Sequence, residues 1–200
     1  MSQAMWRTAE LRWWWPGDAP GALSRWLLRG VAPITDHRTD LYLAHPKATD
    51  IGVKQRGHGE TEVKVLIGLP EIGLPAKMDG QAELWVKSTG LPLPMNDAKT
   101  VAVGKKRERR ILAFADGGWA DVLSEDETGE GVAVELSAVE ANGARWHSVG
   151  FEAFGPEDRL TALLQGAVTL FGHWPDTVGP AAVSGGYPLW LAHLAGDAEA

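Results

Sequence analysis

Charged residues fall at every second position along six stretches of this chain, and the charges on one face are of both signs. The clearest are Lys54 and Arg56 in IGVKQRG, Glu60, Glu62 and Lys64 in GETEVKVLIG, and Glu83 and Lys87 in AELWVKS. Lys105, Arg107 and Arg109 follow in VAVGKKRERR, then Glu135 in VAVELSAV and Glu152 in HSVGFEAFG. Successive side chains of a strand point to opposite faces, so each stretch predicts a strand with one ionic face. The pattern places strands at 8–15, 38–43, 51–56, 62–67, 82–88, 100–114, 132–139 and 145–154, with a short element at 121–123. Turn signals separate them: Pro16-Gly17, Gly57-His58-Gly59, the Pro/Gly-rich loop 68–80, Pro92 and Pro94, and Gly117-Gly118. Glu140-Ala141-Asn142-Gly143 is a hairpin signal.

Helical spacing is confined to three short segments. Leu23, Trp26 and Leu27 predict a helix over 22–28. After Gly155-Pro156, Leu160, Leu163, Leu164, Val168 and Phe171 share one helical face, and a second short helix is expected over 189–194. Many strands with almost no helix between them predict a mainly β chain, an antiparallel barrel or sandwich. The helices after 156 are expected against the barrel end, giving one domain with a tunnel over about 6–155 and a helical extension over 156–200.

With 200 residues the chain has room for one core, and its 44% hydrophobic and 22% charged residues suit a globular protein. No apolar run approaches ~18 residues, so no membrane span is expected. The N-terminus lacks a basic region followed by an apolar core, so no signal peptide is read there. Cysteine is absent, which excludes disulfides and thiolate chemistry. These features lead to the expectation of a cytoplasmic protein without a membrane partner. Most of the ten tryptophans are assigned to packing, Trp85 among them.

The net charge of −7 and pI near 5.3 argue against a nucleic-acid partner. Yet twelve of the 19 Lys and Arg lie in predicted strands, while acids gather in loops such as Ser124-Glu125-Asp126-Glu127. Cations concentrated in the sheet of an acidic protein suggest a local anion site; a wet outer sheet face is the plainer reading of the same residues. Other chemistries are missing. Gly104-Lys105 is followed by Lys106 and belongs to no P-loop. Ala182-Val183-Ser184-Gly185-Gly186 reads as a turn rather than a nucleophile elbow. The six His have no metal-ligand spacing. Phosphoryl chemistry needs cations on phosphate oxygens and carboxylates for a divalent metal, and a barrel interior can supply both.

RTDLYL followed by GVKQR, then TEVKV, ELWVKS, VGKKRERR, VELSAVEANGARW and HSVGFEAFG resemble, in this order, the CYTH superfamily of triphosphate tunnel metalloenzymes. The resemblance implies an eight-stranded antiparallel tunnel with a charged interior. It also implies action on a triphosphate-containing small molecule with Mg²⁺ or Mn²⁺, adenylate cyclases being among the members, and a homodimer. Carried over, Arg12, Lys54, Arg56, Lys64, Lys87, Lys105, Arg107 and Arg109 would bind phosphate. Glu10, Glu62, Glu135 and Glu152 would hold the metal, with Glu10, Glu62 and Glu152 catalytic. Lys106, Glu108 and Arg110 alternate with these and should face outward.

The chain departs from the family pattern in its first strand. The signature Glu-x-Glu-x-Lys is here Thr8-Ala9-Glu10-Leu11-Arg12, without the first acid and with Arg for Lys. A literal Glu60-x-Glu62-x-Lys64 lies in the fourth strand instead. Ser137 stands two after Glu135, where a second carboxylate is expected. Losing acids weakens metal binding more than phosphate binding, so a degenerate tunnel that binds phosphate without hydrolysing it is the second expectation. A barrel without an anion site, interacting through a Trp-rich exterior, is the third.

Overall fold

A computed structural model describes residues 5–45, 47–56, 59–91, 95 and 100–197. The strands are β1 (Met5–Pro16), β2 (Ile34–Leu43), β3 (Ile51–Arg56), β4 (Thr61–Gly68), β5 (Glu83–Leu91), β6 (Thr100–Ala115), β7 (Gly118–Val122), β8 (Gly131–Ala141), β9 (Ala144–Phe154) and β10 (Val183–Ser184). The helices are α1 (Gly21–Leu28), α2 (Leu160–Phe171) and α3 (Tyr187–Asp197). Eight strands close into an antiparallel barrel in the order β1-β5-β4-β3-β2-β6-β8-β9, with β9 returning to β1. The seam runs from Ala9 opposite Ala153 to Pro16 opposite Trp146. β7 pairs with the end of β6, and β10 with the end of β1.

The boundaries follow local chemistry. Pro16 ends β1 because it has no N–H for a ladder, and Gly17 turns the chain with φ +80°. The β8–β9 hairpin closes on Asn142 and Gly143, both at positive φ, which gives the twist that tight hairpins need. The predicted strands all form, most of them longer than expected; β2 starts at Ile34 rather than at 38. Part of the turn at 57–59 and the prolines at 92 and 94 lie outside the described residues.

Alternation sorts each strand. On β1, Leu11, Trp13 and Trp15 point outward into an apolar layer beneath α1 and α2, together with Val132, Val134, Leu136, Val149, Phe151 and Ala153 of β8 and β9. α2 fits this layer because Leu160, Leu163, Leu164, Ala167, Val168 and Phe171 make one buried stripe. It therefore lies along the barrel flank, against β9, β1 and β8, and not at the barrel end as the sequence suggested. The helix at the end is α3. Its Tyr187, Trp190 and Leu191 pack on Trp14, Tyr42, Val103, Val139 and Trp146, which face inward from five strands. The tunnel is thereby closed on that side.

The tryptophans are mostly internal. Trp13, Trp14, Trp85 and Trp190 are fully buried. Trp13, Trp14 and Trp15 each donate their indole N–H to a backbone carbonyl, of Asp79, Gly185 and Gly179. The exterior is not Trp-rich. No helix among the described residues is long and apolar enough to cross a membrane.

Candidate anion site in the barrel

The inward face of β1 carries Trp6, Thr8, Glu10, Arg12 and Trp14 in turn, so one strand spans the barrel from its open mouth to its closed floor. Every second residue of β2 (Asp36, Arg38, Asp40, Tyr42), β3 (Gly52, Lys54, Arg56), β4 (Glu62, Lys64) and β6 (Lys105, Arg107, Arg109) joins it, with Lys87, Glu135 and Glu152 from β5, β8 and β9. The result is a cavity of about 410 Å³. All twelve residues assigned a site role from the sequence line it, alongside Trp6, Asp36, Arg38, Tyr42, Gly52, Thr89, Glu125 and Tyr187. Lys106, Glu108 and Arg110 face outward as the alternation requires: Glu108 accepts from Ser24 Oγ of α1, and Arg110 pairs with Asp121 of β7. Glu60 lies exposed ahead of β4. Glu83 is buried beneath the cavity, accepting from Trp85 Nε1 and from the Gly186 backbone N–H.

Charges this deep persist only when paired. Lys87 Nζ lies 2.8 Å from Glu10 Oε1 and 2.5 Å from Glu152 Oε1, while Lys64 Nζ holds the other Glu10 oxygen at 3.0 Å. Glu135 takes Arg12 on one oxygen at 3.0 Å and Arg107 on the other at 2.8 Å. Glu62 holds Lys54 at 2.6 Å and Arg56 at 3.3 Å. Arg107 also grips Asp36 with Nε and Nη2, and Lys105 donates to Asp40 at 2.8 Å and to Tyr42 Oη at 2.6 Å. At the mouth, Arg109 meets Glu125 at 3.5 Å.

Two positions where the family pattern expects an acid carry a hydroxyl that serves the remaining one. Thr8 Oγ1 donates to Glu10 Oε1 at 2.9 Å, and Ser137 Oγ donates to Glu135 Oε1 at 2.7 Å. Gly150 makes room for Arg12, since a Cβ there would stand 2.5 Å from its Nη2.

Burial raises the Glu10 carboxyl, but Lys64 and Lys87 outweigh it and hold the group well below the usual carboxylate range. Glu135 is driven down in the same way by Arg12 and Arg107, against its burial. Lys87 goes up because Glu10 and Glu152 overcome its desolvation. Two lysines behave differently. Burial brings Lys54 down to about 8, helped by Arg56 and Lys87 and opposed by Glu62. Burial also brings Lys105 well below the ordinary lysine value, although Asp40 opposes it. Nine Lys and Arg against six Asp and Glu line the cavity, an excess of three positive charges when all are ionised, or two with Asp40 counted, which is buried against Lys105. The arrangement can accept a small polyanion.

No protein-family model matches the chain, and no curated protein matches it. A solved structure, that of the PH1819 protein from Pyrococcus horikoshii OT3, matches with a TM-score of 0.43 and 16% identity, over 82% of this chain and 88% of that one. A likeness that loose carries no argument about this chain.

Sequence reasoning left out Asp36, Arg38, Asp40, Tyr42, Glu125 and Tyr187. Arg38, Asp40 and Tyr42 stand at alternate positions of the strand read at 38–43 and were legible there, and Asp36 continues the alternation once the strand is started at Ile34. Glu125 and Tyr187 come from segments outside the barrel strands, where no periodicity points at a cavity.

Proposed function

We propose that the barrel interior binds a triphosphate-containing small molecule and, with a divalent metal, hydrolyses it, as the resemblance to the CYTH superfamily implies. The observation that carries this reading is the convergence of nine cations on one cavity whose volume lies in the usual range for a small-ligand site. Arg12, Lys54, Lys64, Lys87, Lys105, Arg107 and Arg109 would neutralise phosphate oxygens along the walls. Arg56, half-exposed at the mouth, would make first contact.

The donor set fits a divalent cation at one place. Glu10 and Glu152 face each other across β1 and β9 and both hold the Lys87 ammonium. Mg²⁺ is commonly held by one or two carboxylates plus substrate phosphates, so this pair suffices for a metal that arrives with the ligand. Mg²⁺ or Mn²⁺ bound there would polarise the terminal phosphate and neutralise its developing charge. Glu62 and Glu135 are each held by two bases, as Glu10 is by Lys64 and Lys87, but neither has a second carboxylate directly opposite it, and no three His, Asp or Glu group together for a metal among the described residues.

That same fact favours a second reading, a tunnel that binds phosphate without turnover. Both missing acids, at Thr8 and Ser137, are replaced by groups that cannot ligate as carboxylates do. Phosphate release from a panel of triphosphates, with Mg²⁺, Mn²⁺ or EDTA, separates the two when run beside thermal-shift binding. Release that EDTA abolishes supports hydrolysis. A thermal shift without release leaves the binder. Neither signal removes the anion site.

A further inference from the structure

Tyr187 reaches the barrel floor from the C-terminal segment, and its hydroxyl is buried without a hydrogen-bond partner among the described residues. Its ring is packed on several sides. It stacks on Tyr42 with centroids 5.1 Å apart and meets Trp14 edge-on at 4.8 Å. Lys105 Nζ sits 3.8 Å from its centroid and the Arg12 guanidinium 5.2 Å. None of these contacts uses the hydroxyl, so a phenylalanine would pack as well. A buried hydroxyl left unpaired costs stability and calls for a reason. Tyr187 lines the cavity between two cations that the floor presents to an incoming anion. Its burial also keeps the phenol protonated, hence a donor, because the pKa is raised.

We propose that Tyr187 donates its hydroxyl to the innermost group of the bound phosphate chain, so that the C-terminal segment completes the anion site. The inference rests on the proposed function and names one further binding residue for it. The hydroxyl oxygen is closed off from solvent. Lys105 and Arg12 lie against the Tyr187 ring, and an arriving phosphate would draw their charged ends toward itself. The site is then complete only while β10 and α3 are docked, which couples ligand binding to the seating of the C-terminus.

Tyr187→Phe removes the one atom at issue and keeps the ring. Calorimetric titration with tripolyphosphate should show affinity about five- to tenfold lower in the variant, the worth of one hydrogen bond. The melting temperature without ligand should stay level or rise, since an unpaired polar atom has gone. A second readout uses the fact that the chain has only two tyrosines. In the 3-fluorotyrosine-labelled protein, the ¹⁹F resonance absent from Tyr187→Phe should move on titration with tripolyphosphate. Wild-type binding with unchanged affinity in the variant would overturn this inference and leave the anion site standing. A clear loss of melting temperature would also overturn it, by giving the hydroxyl a structural partner. No binding by the wild-type protein would overturn the inference together with the reading beneath it.

Discussion

Lys54 shows how a single buried cation links pH, stability and binding. Its ammonium has a pKa of about 8 in the folded chain, burial being the largest cause, against ~10.4 in an unfolded one. Between those values the unfolded state holds a proton that the folded state has released, so this group makes stability rise with pH. Its cost to the fold is fully present below pH 8. A bound polyphosphate works in the opposite direction, because it restores the charge. Tripolyphosphate binding should therefore take up protons above pH 8 and weaken as the pH rises further; calorimetry at pH 8.5 in two buffers of different ionisation enthalpy measures this, and zero uptake would remove Lys54 and Lys105 from the site. Arg56→Ala should lower polyphosphate affinity with little change in melting temperature, since Arg56 is exposed and its partner Glu62 keeps Lys54. Gly150→Ala should do both kinds of harm. The new Cβ meets the Arg12 guanidinium, so we expect affinity to fall and stability to drop by about 1–3 kcal/mol, as overpacked sites do. Glu152→Gln should reduce metal-dependent phosphate release more than ligand binding; equal losses would argue against a metal role.

At the scale of elements, β6 is the sharpest test. Its run KKRERR is charged at every position, yet pairing with β2 and β8 gives its two faces different work. Lys105, Arg107 and Arg109 look into the cavity, while Lys106, Glu108 and Arg110 serve the outside, two of them tying α1 and β7 to the barrel. Lys106→Ala should leave tripolyphosphate affinity within about twofold, whereas Arg107→Ala should lower it at least tenfold, a charge-assisted pair being the stronger kind. Affinity that fell equally in both would mean a binding site on the outer surface. The alternation that sorts these residues was readable because a strand has a side-chain period of two, and a one-residue slip would reverse every assignment. Asp36 was missed for a local reason: Pro33-Ile34-Thr35 gives a weak start signal, and the ladder with β6 extends β2 backward to Ile34.

For the molecule as a whole, the decisive event is closure at the floor. Trp190 is fully buried, stacked on Trp14 at 4.3 Å, and anchors α3 across the barrel end. Trp190→Ala should cost about 3–5 kcal/mol in chemical denaturation, the usual result of emptying so large a buried volume. The sequence by itself determined the strands, the alternation that separates their two faces and the buried stripe of α2, because each depends on a short-range period of two or of 3.6 residues, whereas closure of the sheet decided that the charged face turns inward and that the twelve assigned residues share one cavity. Tertiary structure alone decided which carboxylate meets which base, that α2 lies on the flank while α3 closes the end, and that Tyr187 and Glu125 belong to the cavity. Those outcomes depend on which strands become neighbours when the sheet closes and on where the chain beyond Gly155 returns. Contacts such as Arg12 with Glu135, 123 residues apart, leave no mark in any local pattern.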